Sequence, residues 1–295
     1  MKVLLVTNPS SGSAAGHDND KLLEQLGALG SVEAVEPSSL EDFPSEVLSA
    51  ARGRDLVVSA GGDGTMNCTV NALREVLADV SLALLPMGTG NDLARTLKLT
   101  DDPLDVARGL DGGTEIDLDV GIATGPGAER LFVNACMGGF PVQVDEALDD
   151  GTKERLGAAA FIWGGAKALS DLDRSHVGLQ DLEIPDCVAA GVGNGKTAGG
   201  GIEMWPDALP TDGVLDGCAL GAAGPAELVK LGAKLKFGDH ADLPGVATTR
   251  GPRIEIRADP KIEINVDGEL VGLETPAVFE IFTKVRVLVP ERLGS

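Results

Sequence analysis

Three loops in the first third of the chain combine glycine with serine, threonine, asparagine or aspartate. They are Asn8–Gly12 (NPSSG), Gly61–Thr65 (GGDGT) and Pro86–Asp92 (PMGTGND). Paired glycines let backbone N–H groups approach a phosphate with no Cβ in the way, and a helix starting at such a loop adds a dipole that favours anions. Asp63 would repel a bare phosphate, so an acid there makes chemical sense beside Mg2+ or beside a hydroxyl losing its proton. One such loop alone reads equally as a tight turn capping a helix. Three on one edge of one sheet point to a purine-nucleotide pocket.

A fourth stretch competes for the same role. Ala190–Thr197 (AGVGNGKT) is one methyl group away from the P-loop pattern G-x-x-x-x-G-K-[ST]. A P-loop needs a helix directly after its Lys-Thr, because helix N-terminus and loop amides hold the phosphates together. Here AGGGIEMWP follows, and three glycines and Pro206 oppose a helix. The expectation is therefore that the phosphates belong at Gly61–Thr65.

The elements needed to position the three loops are present. Lys2–Thr7 reads as a strand running into NPSSG, Asp55–Ser59 as a buried strand breaking at GGDGT, and Leu82–Leu85 as a strand ended by Pro86. Leucines 22, 23, 26 and 29 share one helical face over Asp20–Leu29. Met66, Val70, Leu73 and Leu77 do so over Met66–Leu77, and Asp92–Leu97 opens another helix. This alternation predicts an α/β nucleotide-binding domain with a mostly parallel sheet, whose ligands sit beyond the carboxyl ends of the strands. Beyond about residue 120, short alternating runs dominate: Leu131–Asn134, Arg253–Arg257, Lys261–Val266, Ala277–Phe282 and Lys284–Val289. They predict a β-rich, antiparallel, sandwich-like second domain. The expected boundaries are 1–121 plus about 277–295 for the first domain, its last strand returning from the C-terminus, and 122–276 for the second. Leu156–Leu169 is an apolar, small-residue helix candidate.

Composition excludes several classes. The 295 residues are too apolar for disorder, at 43% hydrophobic, and no apolar stretch reaches the length of a transmembrane helix. The N-terminal apolar run is shorter than a signal-peptide core, and the four cysteines are far apart, as buried thiols of a reducing cytoplasm would be. A net charge of −22 argues against nucleic acid as a partner, and would suit a high-salt cytoplasm.

NPSSG, SAGGDGTMN (Ser59–Asn67) and LPMGTGNDLAR (Leu85–Arg95), in this order, resemble the diacylglycerol kinase catalytic-domain family. That family includes bacterial diacylglycerol and phosphatidylglycerol kinases, sphingosine kinases and ceramide kinases. The resemblance continues through LDVG (Leu118–Gly121), FVNACMGG (Phe132–Gly139), the segment Asn194–Asp216 and VDGEL (Val266–Leu270), nearly the whole chain. NAD kinases share GGDGT but not GTGNDLAR or the late DGVLD and VDGE.

The resemblance implies ATP and Mg2+ as cofactors and a lipid substrate at the membrane surface. It places the protein in the cytoplasm, peripheral at the inner membrane face, and leaves a homodimer open. It implies nucleotide binding at Asn8, Gly61, Gly62, Asp63, Gly64, Thr65, Met66, Asn67, Thr89 and Asn91. Asp63 matches the aspartate needed for catalysis, Asp119 one that joins it in a water–Mg2+ network, and Glu269 the general base that takes the lipid hydroxyl proton. Asp212, with the backbone carbonyls of Leu209 and Val214, matches a structural Mg2+ site. Two positions depart from the family pattern: Cys68 stands where relatives carry Glu, and Ser13 where many carry a basic residue. The implied reaction is transfer of the γ-phosphate of ATP to a lipid hydroxyl, diacylglycerol being the default acceptor. The alternatives are an NAD kinase-like phosphotransferase and a nucleotide-binding regulator without turnover, to which Cys68 and Ser13 point.

Overall fold

Val3–Val6, Leu56–Ala60 and Leu82–Leu85 are unbroken apolar or small-residue runs, the pattern of strands covered on both faces, and all are buried. In the computed structural model, which describes residues 1–8, 19–139, 173–222, 224–235 and 237–291, these runs form the centre of a parallel sheet. The chain divides into two units, Met1–Val120 with Thr283–Ser295, and Gly121–Phe282.

In the first unit, β1 (Lys2–Thr7), β2 (Ser31–Val35), β3 (Leu56–Gly61) and β4 (Ser81–Pro86) pair in parallel in the order β2-β1-β3-β4. The far end of the long strand β15 (Ala277–Val289) joins β4, Arg286 opposite Ser81 and Val287 opposite Leu82, also in parallel. The connections are helical: α1 (Asn19–Leu26), α2 (Phe43–Ala51), α3 (Asp63–Ala72), α4 (Asp92–Leu97) and α5 (Pro103–Gly109). Leu22 and Leu26 of α1, with Val106 and Ala107 of α5, cover Val3, Leu5, Leu56, Val58, Ala83 and Leu85 on one face. The Asp102 carboxylate accepts the Leu104 N–H at 2.8 Å, and Pro103 occupies the first turn, both of which favour a helix start there.

Two helices differ from their sequence reading in extent. The helix expected over Met66–Leu77 begins earlier, at Asp63, and ends at Ala72. The Asp20–Leu29 helix closes in a 3-10 turn over Gly27–Leu29. The earlier start of α3 has a reason in the glycines: Gly62 adopts the extended cap conformation, so helical backbone starts inside GGDGT.

The second unit is antiparallel. β9 (Leu182–Gly193) is its spine. Its first half pairs with β8 (Ser175–Leu179); its second half pairs with β7 (Ala135–Gly139) on one edge and β10 (Leu215–Gly221) on the other. β13 (Glu263–Val266) and β14 (Glu269–Glu274) form a hairpin added to β7, and β12 (Arg253–Asp259) lies between β8 and the near half of β15. β11 (Val246–Gly251) pairs with β10, and β5 (Thr114–Gly125) pairs with β6 (Ala128–Phe132) from Gly121 onward. Phe132 and Phe279 meet edge to face in this core, ring centroids 6.3 Å apart. A Cβ on Gly121 would overlap the Phe132 ring, at 2.2 Å. α6 (Pro225–Leu235) turns Leu228 and Leu231 onto a second cluster with Met204 and Trp205.

Two strand expectations are corrected. Ala277–Phe282 and Lys284–Val289 are one continuous strand. Of the strand expected over Leu131–Asn134, Leu131 and Phe132 end β6, whereas Val133 and Asn134 form the break before β7, because the amides of Val133, Asn134 and Ala135 turn onto the Asp267 carboxylate. The Leu156–Leu169 candidate and Ser13 lie outside the described residues.

Candidate active site

β1, β3 and β4 end together at one edge of the parallel sheet, since Thr7 lies opposite Ala60 and Gly61 opposite Pro86. Asn8, the Gly61–Thr65 loop and the Met87–Asp92 loop therefore leave the same edge, as the strand ends predict. What fastens the second loop to the third is backbone contact. A Cβ on Gly88 would come within 2.5 Å of the Gly62 Cα, and one on Gly62 within 3.0 Å of the Gly88 Cα. Only glycine permits that approach. A Cβ on Gly61 would strike the Thr65 side chain at 2.3 Å.

Asp63 completes the junction. Its two carboxylate oxygens accept the N–H groups of Asp92 and Leu93, each at 3.0 Å, so the first residue of α3 satisfies the first amides of α4. Asn91 closes its own loop: its Oδ1 accepts the Gly88 N–H at 2.9 Å and its Nδ2 donates to the Gly88 carbonyl at 2.8 Å. Asn91 has φ of 51°, a left-handed conformation that asparagine tolerates better than most residues. Thr65, Asn67, Asn91 and Asp92 are all buried polar residues at this edge. Met66 is fully buried in the core, which leaves its backbone as what it can offer a ligand, whereas Thr89 is exposed.

These features fit a bound polyphosphate. The loops present backbone with no side chain at Gly61, Gly62 and Gly88, and the N-terminus of α3, ten residues long, opens at the same point. Asp63 is pinned by two backbone donors, a fixed orientation that suits a carboxylate placed beside a hydrated cation.

Asp119, fully buried on β5, forms an ion pair with Lys284 of β15, Nζ to Oδ1 3.1 Å. Sequence reasoning named Asp119 alone. Its partner is remote in the chain, and no local pattern marks Lys284. Asp92 was also missed, although it directly follows Asn91; its burial beside the Asp63 junction is what sets it apart.

In the second unit, Asp212 sits in a turn where the Leu209 carbonyl accepts the Thr211 N–H at 2.8 Å and the Asp212 N–H at 3.4 Å, while the Val214 N–H donates to Asp212 Oδ1 at 3.1 Å. Arg250 pairs with Asp212 through Nη2 and reaches Asp216 through Nε at 3.4 Å. Burial raises the Asp216 pKa; the Arg250 charge opposes this, and the negative charges of Asp212 and Asp207 add to it. The buried Oδ2 of Asp216 has no hydrogen-bond partner among the described residues. Carboxylates at 207, 212 and 216 around a single guanidinium leave a negative surplus, and the oxygen-only donor set fits a hard cation. No cluster of three or more His, Cys, Asp or Glu suited to a metal occurs among the described residues.

Glu269, the first residue of β14, is exposed and stands opposite Val266 in the hairpin. Asp267, which precedes it, is buried, and so are Asn134 and Asn194 around it. None of these three stood out in the sequence, where Asp267-Gly268 reads as an ordinary turn dipeptide. The P-loop look-alike is resolved here as well. Ala190–Gly193 is the end of β9, Asn194–Lys196 is a bend, no helix follows, and Lys196 Nζ donates to the Pro206 carbonyl at 2.7 Å.

Residues 2–123 match the family model described as the diacylglycerol kinase catalytic domain, and residues 135–289 match the YegS C-terminal NAD kinase beta sandwich-like domain. A protein of Stenotrophomonas maltophilia named "Probable lipid kinase YegS-like" is 32% identical, covering 95% of this chain and 94% of its own. One of the same name from Pseudomonas putida is 34% identical over 79% of this chain and 76% of its own. Among solved structures, a chain described as a diacylglycerol kinase from Bacillus anthracis aligns with a TM-score of 0.71 and 20% identity, covering 99% of this chain and 98% of its own. A second chain from the same organism aligns at a TM-score of 0.78 and 24% identity, over 99% and 96%. At those identities the structures speak for the fold.

Proposed function

Since the chain belongs to the family of YegS-like lipid kinases built on the diacylglycerol kinase catalytic domain, we propose that it transfers the γ-phosphoryl group of ATP to a lipid hydroxyl, with diacylglycerol the first acceptor to test. The observation that carries the nucleotide half is the Gly62–Gly88 contact locked by Asp63. It supports a rigid backbone platform at the carboxyl edge of a parallel sheet, where ligands of such sheets bind. GGDGT, which NAD kinases share, lies within the residues that match the diacylglycerol kinase catalytic domain, and the NAD kinase-like description applies to the C-terminal sandwich.

In this reading the lipid hydroxyl oxygen bonds to the γ-phosphorus as the bond from that phosphorus to the β–γ bridging oxygen breaks, and ADP leaves. The hydroxyl proton passes to the Glu269 carboxylate. Magnesium, when bound, neutralises charge on the phosphates. Asn8, Gly61, Gly62, Gly64, Thr65, Asn67, Thr89 and Asn91 hold and orient the nucleotide, and Asp63 and Asp119 orient the hydrated cation. Catalysis then comes mainly from positioning and charge stabilisation. Asp212, with the Leu209 and Val214 carbonyls, holds a separate structural cation. The protein acts from the cytoplasmic side of the inner membrane; no described helix is long and apolar enough to cross a bilayer.

The test is a phosphorylation screen of a total lipid extract with ATP labelled on its γ-phosphate, read by mass spectrometry at low and high salt. Phosphorylated lipid, with more product at high salt, is expected from the −22 charge of the chain, which repels an anionic membrane. Phosphorylation of NAD in place of lipid would overturn the proposal. So would tight ATP binding with no phosphorylated lipid at any salt concentration.

A further inference from the structure

Asp267 and Gly268 have φ of 48° and 94°, and β13 and β14 pair on either side of them with Val266 opposite Glu269. A two-residue hairpin loop with both residues at positive φ is satisfied by Asn-Gly, Asp-Gly or Gly-Gly. The turn alone therefore does not require an acid, and in most such hairpins the first side chain faces water. Here it does not. Asp267 is 3% exposed, and its carboxylate accepts the N–H groups of Val133 at 2.8 Å, Asn134 at 2.9 Å and Ala135 at 2.8 Å, while its own N–H donates to the Ala135 carbonyl at 2.8 Å.

The bend that supplies those donors is held from the other side. Asn194 Nδ2 donates to the Val133 carbonyl at 2.7 Å, and Asn134 Nδ2 donates to the Thr197 carbonyl at 2.9 Å. The Asn134 carbonyl accepts the N–H groups of Asn194 and Gly195, both at 2.8 Å. Three segments far apart in sequence, FVNA, GNGKT and VDGE, are thus joined in one buried hydrogen-bonded knot. Breaking any part of it leaves buried donors or acceptors unmade, which gives the knot a single arrangement.

We propose that Asp267 is the positioning residue for Glu269: by binding the Val133–Ala135 amides it fixes the hairpin rung from which the Glu269 carboxylate projects towards the acceptor. This rests on the reading of Glu269 as the base. Asn194–Thr197 then has a role of its own, as the outer clasp of the knot. A carboxylate is needed because it is acceptor-only, whereas the amide of an asparagine would aim N–H groups at N–H groups.

That difference supplies the test. Asp267→Asn keeps the size and the tolerance for left-handed backbone, so the turn survives and the knot does not. The full-length variant is compared with its parent and with Glu269→Gln, using a total lipid extract in mixed micelles and γ-labelled ATP, with hydrogen exchange of the folded proteins alongside. Asp267→Asn is expected to lower kcat about 10- to 100-fold with KM for ATP within about twofold, as a displaced catalytic group does. It should also lose protection at the amides of 133–135 and 269–270, and the double variant should be no slower than Glu269→Gln alone. Asp267→Glu, with the acceptor chemistry kept, should recover part of the loss. Unchanged exchange at 133–135, a kcat within about twofold of the parent, or effects that multiply in the double variant would each overturn the positioning role. Full turnover by Glu269→Gln would instead overturn the base reading, while the exchange result would still show whether Asp267 holds the hairpin.

Discussion

The Asp63 carboxylate accepts the Asp92 amide at 3.0 Å, so an acid at the start of one helix caps the next. Its other oxygen does the same for Leu93, and the two glycine loops behave as one piece of backbone. Asp63→Asn keeps one acceptor and loses the other. The variant should lose about 1 kcal/mol of stability, the usual worth of a cap, and phosphoryl transfer should fall about 100-fold or more. Denaturant unfolding and the lipid-extract assay measure the two separately. A loss of stability with turnover intact would reduce Asp63 to a capping residue.

Gly88→Ala probes the same junction by size alone. The added methyl would meet the Gly62 Cα at 2.5 Å and Asn91 Oδ1 at 2.9 Å, and backbone cannot retreat as a flexible side chain would. The expected cost is about 1–3 kcal/mol by denaturant unfolding, with a raised KM for ATP. Parent-like values of both would mean that the loops can part without loss.

At the Asp212 turn the Arg250 guanidinium pairs with the carboxylate that the proposed cation would need. Millimolar Mg2+ should raise the melting temperature of the parent, by about 1–3 kcal/mol of linkage at 10 to 100 times its dissociation constant. Asp212→Asn should abolish the rise, and Arg250→Gln should enlarge it. Equal shifts in all three proteins would place the cation elsewhere.

His240 should make stability depend on pH. It is fully buried, its Nε2 lies 3.1 Å from the Met204 carbonyl oxygen, and burial lowers its pKa below the ordinary histidine value, against the opposing pull of that carbonyl. A lowered value means that the folded chain binds fewer protons than the unfolded one. The stability is therefore present above about pH 6.5 and lost as the pH falls through that value towards the lowered one. The melting temperature should drop between about pH 7.5 and 5, and His240→Gln should flatten that slope. Asp216, whose pKa is raised by burial, acts in the opposite sense at lower pH. Identical slopes in parent and variant would show that His240 is not the titrating group.

Much of the first unit was legible because its signals are local. Apolar runs gave β1, β3 and β4 nearly to the residue, and the glycine-containing loops after them marked the sheet edge where the nucleotide is proposed to bind. The second unit was read more coarsely. β9, with its glycine, alanine and proline residues, carries no clean alternation, and its place as the spine comes from pairing with three other strands. The strand expected over Leu131–Asn134 runs two residues too far, past the end of β6 at Phe132, because nothing nearby in sequence announces an acid that draws the Val133 and Asn134 amides away.

The two-part architecture, the family, and the loops and acids on which the proposed chemistry rests were all legible in the sequence, since each of these is written in contiguous residues. Tertiary structure alone decided the partners: Asp63 with the α4 amides, Asp119 with Lys284, Asp212 with Arg250, and Asp267 with the bend at Val133–Ala135. A carboxylate has the same side chain in a solvated turn and in a buried knot. What distinguishes the two is which donors the fold brings to it, and those donors lie far away along the chain.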